Sequence, residues 1–269
     1  MSKKKPSMKL SDVKLNYLTG KPVDHQTLKS CFSMFGSLIA MGVLFVIIGM
    51  ALMMDSAFLR ILLNGAVLLS ALFMYFQMGS AKGGNAVNQG EIMYDRRQNG
   101  HLVSENDLRN CYHPAKGFLI GLLGSLPFII IATILALTTS RQMTGMGALP
   151  SWLSAFQNRA EIGNALAYYY EPVALTAEDV TRVITRMMMM PVVNIFNLYD
   201  ANALLLMERL SPLFLLLPGV AYGIGYTQGI TLRKQVVIGI AEGEKKRKKK
   251  ERRQQRQRTR EPKGPEQLN

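Results

Sequence analysis

Two apolar runs, Phe32–Met54 and Ala57–Gly79, stand almost back to back, with only Asp55 and Ser56 between them. The first carries no charge from end to end, and the second carries one, Arg60, near its start. As a helix, at about 1.5 Å of rise per residue, the first run is roughly 34 Å long, against a bilayer hydrocarbon core of about 30 Å. A chain with this pattern crosses a membrane, turns within two residues and crosses back. Inside hydrocarbon every backbone N–H and C=O must be bonded internally, so both crossings are helices. This transmembrane hairpin, residues 31–79, constrains the side on which each later segment lies. Arg60, one turn from the outer end, is read as snorkelling to the headgroups with Asp55 as its partner.

Charge gives the hairpin a direction. The chain of 269 residues is 48% hydrophobic with a net charge of +14, and both averages hide a split into apolar blocks and polar ends. Residues 1–30 hold seven Lys against two Asp, and residues 231–269 hold fourteen Lys and Arg against five Glu. No Lys falls between Thr138 and Pro212. Cytoplasmic segments collect Lys and Arg. That places the basic N-terminal segment 1–30, the polar loop 80–116 and the tail 233–269 in the cytoplasm, and residues 139–211 outside, in a multi-pass protein of the cell membrane. The first apolar run begins after about 30 polar residues and exceeds the roughly 7–15 of a signal-peptide core, so no cleaved leader is expected. Two cysteines, Cys31 and Cys111, are too few for a disulfide framework, and both fall on the reducing side.

The loop 80–116 carries turn signals at Gly83-Gly84 and Asn99-Gly100. Ser104 with Asp107 reads as the cap of a short helix to Tyr112, ended by Pro114. Cys111, His113 and His101 are metal-ligand types. A structural zinc site wants four ligands in paired spacings, so a folded loop touching the tail or a partner is the simpler reading. The third span, 117–138, sets Gly117, Gly121 and Ser125 four apart on one face, and Pro127 near its middle predicts a kink. The fourth, 212–232, holds Pro218 and two GxxxG pairs, Gly219–Gly223 and Gly225–Gly229. Small residues at this spacing let helix backbones approach in lipid, and Gly36–Ala40 is a lesser pair in the first span.

Residues 139–211 read as a helical extracytoplasmic insertion. Trp152, Phe156, Ile162, Leu166 and Tyr169 roughly follow helical spacing, and the cluster Tyr168–Tyr170 suits a membrane–water interface. Thr176 and Asp179 give a cap signature before Val180, Val183, Ile184 and Met187, which recur at i, i+3, i+4 and i+7. The run 187–198 is apolar, too short to span and broken by Pro191, and reads as a re-entrant or interfacial segment. A further helix from near Asp200 feeds the last span. The thioethers of Met187–Met190 are soft ligands of the kind that select Cu(I). Four consecutive Met on a helix point in four directions, so flexible apolar packing is the reading preferred.

The tail contains KKRKKKERRQQRQRTR, in which eleven of sixteen residues are basic. Lys245, Lys246, Arg247, Lys248, Lys249, Lys250, Arg252 and Arg253 form its core. With no apolar face, it reads as disordered or as a solvated helix. Three targets fit: the anionic lipid of the inner leaflet, ribosomal RNA, or an acidic protein. No aromatic residue interrupts the run, so base stacking is not expected, and nothing points to DNA.

No GxSxG, HExxH or Walker loop is present, and no cofactor or metal signature. No acidic residue lies within an expected span, where proton-coupled carriers place them. The expectation is an all-α integral membrane protein: four transmembrane helices, an extracytoplasmic helical insertion between the third and fourth, and a basic cytoplasmic tail. Its role is expected to be that of a non-enzymatic subunit or scaffold that binds a membrane partner or itself. The alternative is a transport, protein-translocation or biogenesis component with a path lined by the third and fourth spans. A polar cleft formed by Asn64, Tyr222, Tyr226 and Gln228, open to one side, would favour that alternative. A closed apolar bundle with an exposed glycine face would favour the subunit.

Overall fold

The computed structural model describes residues 13–139, 177–196 and 201–260. The chain is all-helical, with no strand among these residues. In order it forms α1 (His25–Ala51), α2 (Ala57–Gln98), a 3-10 turn (Asp107–Asn110), α3 (Pro114–Thr138), α4 (Ala177–Met188), α5 (Met190–Phe196) and α6 (Ala201–Arg260). Four of these, α1, α2, α3 and α6, are long and apolar enough to cross a membrane. The aromatic run expected over 150–170 and the Thr176 cap lie outside the described residues.

Local chemistry sets the boundaries. Asp24 caps α1, its carboxylate accepting the Thr27 N–H at 2.9 Å. Pro114 opens α3 instead of ending a helix. Its missing N–H would have had no partner in the first turn anyway, and His113 Nδ1 accepts the Ala115 N–H at 3.2 Å. Ser104 and Asp107 do bond to each other, Oγ to carboxylate at 2.9 Å, but they lead into the short 3-10 turn. The turn at Asn99-Gly100 is present, with Gly100 at φ +78°. The turn expected at Gly83-Gly84 is not: α2 runs straight through it. A Cβ on Gly83 would strike the Tyr226 carbonyl of α6, so this glycine lets two backbones meet and has no turn to make. The tail is helical to Arg260, so of the two forms expected the solvated helix is the one observed.

α6 is the centre of the bundle, packed on α2 along one side and α3 along the other, and α1 packs on α3. The two helices of the hairpin are splayed. α1 and α2 make almost no contact with each other although only a short turn joins them. Near that turn α4 and α5 fill the gap. Met188 fits against Gly42 and Met190 against Gly49, both on α1. Asn194 of α5 then ties the two sides together, its Nδ2 donating to Gly49 O at 2.9 Å and to Asn64 Oδ1 at 3.2 Å. Arg60 donates to the Met54 carbonyl at 3.1 Å and makes no pair with Asp55.

Candidate functional site

The small residues singled out in the third and fourth spans are engaged within the chain, whereas Gly36 and Ala40 of the first span are exposed and Gly36 meets nothing. Gly121 and Gly219 face each other, and a Cβ on either would meet the other's carbonyl. Ser125 Oγ donates to Gly121 O at 2.8 Å beside this contact. Gly117 receives the Tyr226 ring, and Gly223 receives the ring of Phe118. Gly225 and Gly229 point elsewhere, against Phe76 and Gly83 of α2. The two GxxxG pairs are offset by six residues, and at 3.6 residues per turn that rotates one pair about 120° from the other. One pair therefore serves α3 and the other α2. The matching glycines of α2, Gly79 and Gly83, were legible as one more pair four apart; the polar context of Gly83 pointed to a turn instead.

Among the described residues α3 and α6 are closed on each other, and three cavities lie along the gap between α1 and α2, apart from a fourth of 410 Å³ between the segment before α1 and the 3-10 turn. In mid-bundle an apolar chamber of 340 Å³ is walled by Leu38, Met41, Phe45, Leu68, Leu72 and Met189. At the tail end a polar mouth of 300 Å³ is lined by Gln26, Ser30, Lys82, Asn85, Gln89 and Tyr222. A neck of 220 Å³ beside Met34 and Met78 shares Ser30, Lys82, Asn85 and Tyr222 with the mouth. Between neck and chamber Tyr75 crosses the gap, its hydroxyl donating to Ser37 O at 3.3 Å.

The expected cleft of Asn64, Tyr222, Tyr226 and Gln228 does not assemble. α2 and α6 run parallel, and Tyr222 sits against Gly79, fifteen residues and about 22 Å beyond Asn64. Asn64 is fully buried and holds α5 through Asn194. Gln228 is exposed. Tyr222 does line the mouth, and Tyr226 lies at its rim, stacked on Tyr112 at 5.4 Å.

Each end of the bundle is fastened by buried charge. At the turn end Glu208 of α6 is 2% exposed and accepts from two arginines of α4. Arg182 Nε donates at 3.1 Å and Arg186 Nε at 2.9 Å, while Thr139 donates to the other carboxylate oxygen. Arg182 also reaches Glu178 at 2.6 Å and Asp179 at 3.4 Å. Sequence reading missed this cluster because Glu208 lies just before the apolar run. The available signal was Arg182 and Arg186, four apart on one helix face. The burial of Arg182 turns α4 inside out: Arg182 and Thr185 face inward, with Arg186 half-buried beside them, whereas Val180, Val183 and Met187 are exposed.

At the tail end Lys116 donates to Asp24 at 3.2 Å and to the Arg109 carbonyl, with both side chains almost fully buried. Burial acts to raise the Asp24 pKa, but the Thr27 N–H and the Lys116 ammonium outweigh it and hold the carboxyl below its usual 3.8. A carboxyl lowered by folding stabilises the native state fully above 3.8 and loses that contribution as pH falls through its folded value. Asp24→Asn is therefore expected to lower the melting temperature at neutral pH. The gap to the wild type should narrow between about pH 5 and about pH 3, as read by thermal unfolding in detergent. A gap independent of pH in that window would show that the Asp24 charge contributes nothing.

Cys111 is fully buried, its Sγ 3.9 Å from the Asp107 carbonyl, and burial raises its pKa. Among the described residues no three His, Cys, Asp or Glu side chains lie close enough together to hold a metal ion. No family model matches the chain, and no curated protein or solved structure matches it.

Proposed function

We propose that this chain is a non-enzymatic, multi-pass subunit of the cell membrane that shelters a guest in the groove between α1 and α2. The splay of α1 from α2 around an apolar chamber carries this reading. Bundles whose helices pack all round leave no such volume, and small-molecule sites typically measure about 300–1,000 Å³. The glycine faces of α3 and α6 are filled by the chain's own helices, so they are not the docking surface for a partner, and the groove is the feature left to receive one.

The Lys and Arg excess of both termini puts them in the cytoplasm, and with them the polar mouth. The inverted α4, charged inside and apolar outside, has the distribution of a helix whose outer face meets lipid, which supports the re-entrant reading of 187–198. The exposed basic residues Lys245–Lys250, Arg252 and Arg253 suit an anionic target. Passage of a solute right through the bundle is the less favoured reading, because the Glu208 cluster and α5 seal the turn end.

Photo-crosslinking tests the groove directly. A probe at Leu72, on the chamber wall, is expected to capture a guest retained after purification and detergent exchange. A probe at Leu137, on the outer surface, should label detergent alone. Capture of detergent alone at both positions would overturn the reading.

A further inference from the structure

We infer that the guest of this groove is a single anionic lipid, its headgroup in the mouth at Lys82 and one acyl chain reaching the chamber when the Tyr75–Ser37 bridge that closes the neck swings aside. The inference rests on the groove reading above and names its occupant.

Three observations converge on it. The first is the polarity gradient. The mouth is lined by amides, a hydroxyl and lysine, whereas the chamber is lined almost wholly by carbon. A ligand that fills both is polar at one end and apolar at the other.

The second is charge. Two lysines line the mouth, and Lys116 is committed to Asp24 and the Arg109 carbonyl. Lys82 is exposed and has no acidic partner among the described residues. It stands three residues past the end of the apolar run Ala57–Gly79, which is headgroup height for a helix crossing the bilayer. Gln26, Ser30, Asn85 and Gln89 surround it with further donors.

The third is depth. Tyr75 and Gly65 mark the upper and lower limits of the chamber on α2. At 1.5 Å per residue they lie about 6 Å and about 21 Å below Gly79. One leaflet of a roughly 30 Å core is about 15 Å deep, so an acyl chain hung from Lys82 ends inside the chamber.

Selection must then come from the headgroup. The bulk bilayer is as apolar as the chamber walls, so moving a chain from one to the other gains little. What the groove offers and the open bilayer does not is a preformed ring of polar side chains around one lysine.

The experiment is native mass spectrometry of the full chain in neutral detergent, titrated separately with phosphatidylglycerol and phosphatidylcholine. One phosphatidylglycerol is expected to bind tightly, with phosphatidylcholine clearly weaker. Lys82→Gln should weaken phosphatidylglycerol roughly fivefold, and Lys82→Glu by more than tenfold. Gly65→Phe, at a position with open space around it, should fill the chamber and abolish the tight adduct. Neutralising Lys245–Arg253 should leave it in place. Equal binding of the two lipids would overturn the inference. So would loss of the adduct on tail neutralisation alone, or indifference to both Lys82→Glu and Gly65→Phe. If the Leu72 probe still captures a guest in that case, the groove stands and only the identity of its occupant falls.

Discussion

Glu208→Gln is expected to unfasten the turn end of the bundle and to cost about 3–5 kcal/mol, the usual effect of removing one partner from a buried ion pair. The carboxylate takes bonds from Arg182, Arg186 and Thr139, and α4, which carries both arginines, has little other contact with α6. Glutamine keeps the shape and loses the charge. Arg182 retains Glu178 and Asp179, but it and Arg186 are left with a neutral amide oxygen in place of a carboxylate, and the Thr139 hydroxyl loses its acceptor to an NH2 group. The first consequence is local: the α4–α5 segment loosens before the four long helices part. Limited proteolysis within 177–196, together with thermal unfolding in detergent, reads both effects. The double variant Glu208→Leu, Arg182→Met should recover part of the loss, since it removes the stranded charge along with its partner. A Glu208→Gln protein that melts and digests as the wild type does would show that the cluster is not a fastening.

Gly219→Leu is expected to be at least as severe, because nothing at its contact can yield. A Cβ there would meet the Gly121 carbonyl and carbon, and the Ser125 hydroxyl stands beside them. Overpacking a core usually costs about 1–3 kcal/mol when side chains can rearrange. Here the obstacle is main chain on both sides, so α3 and α6 must separate along their length. That would unseat the Tyr226 and Phe118 rings held by Gly117 and Gly223. The expected outcome is a sharp fall in folded, monodisperse protein after detergent extraction. Gly36→Leu is the control: a Cβ at Gly36 has open space, and the change should fall within about 0.5 kcal/mol of the wild type. Equal yields from the two variants would remove the glycine seam from the list of what holds the bundle together.

How much of this could be read from residues alone depends on which solvent the reading assumes. The spans are legible because a long uncharged run has few alternatives, and the stripe Gly117–Gly121–Ser125 is legible because its spacing survives any choice of neighbour. Gly83-Gly84 is ambiguous in one dimension: glycine allows a turn and also allows a close approach, and only the presence of α6 decides. The stripe Val180–Val183–Met187 was found correctly by its period. Its direction is set by Glu208, a residue distant in sequence that draws the arginine face inward. The chamber was illegible for a simpler reason. Two consecutive helices joined by a tight turn are expected to pack together, and nothing in their sequences says that α4 and α5 hold them apart. Asn64 and Tyr222 were grouped because both are polar in apolar runs, although their heights along parallel helices keep them on different floors.

The length of α6 has a mechanical consequence. Run straight from Leu232, the helix carries Lys245 about 20 Å and Arg253 about 32 Å past the span. Electrostatic attraction at physiological salt fades over about 8 Å. The basic residues of an upright α6 therefore stand several screening lengths from the headgroups, like a crane's boom with its hook well clear of the deck. An anionic surface would have to extend well beyond a flat leaflet to meet them. The boom is also one piece with the seam at Gly219, so a sideways displacement of its far end would be delivered as a tilt to the helix around which the bundle is packed.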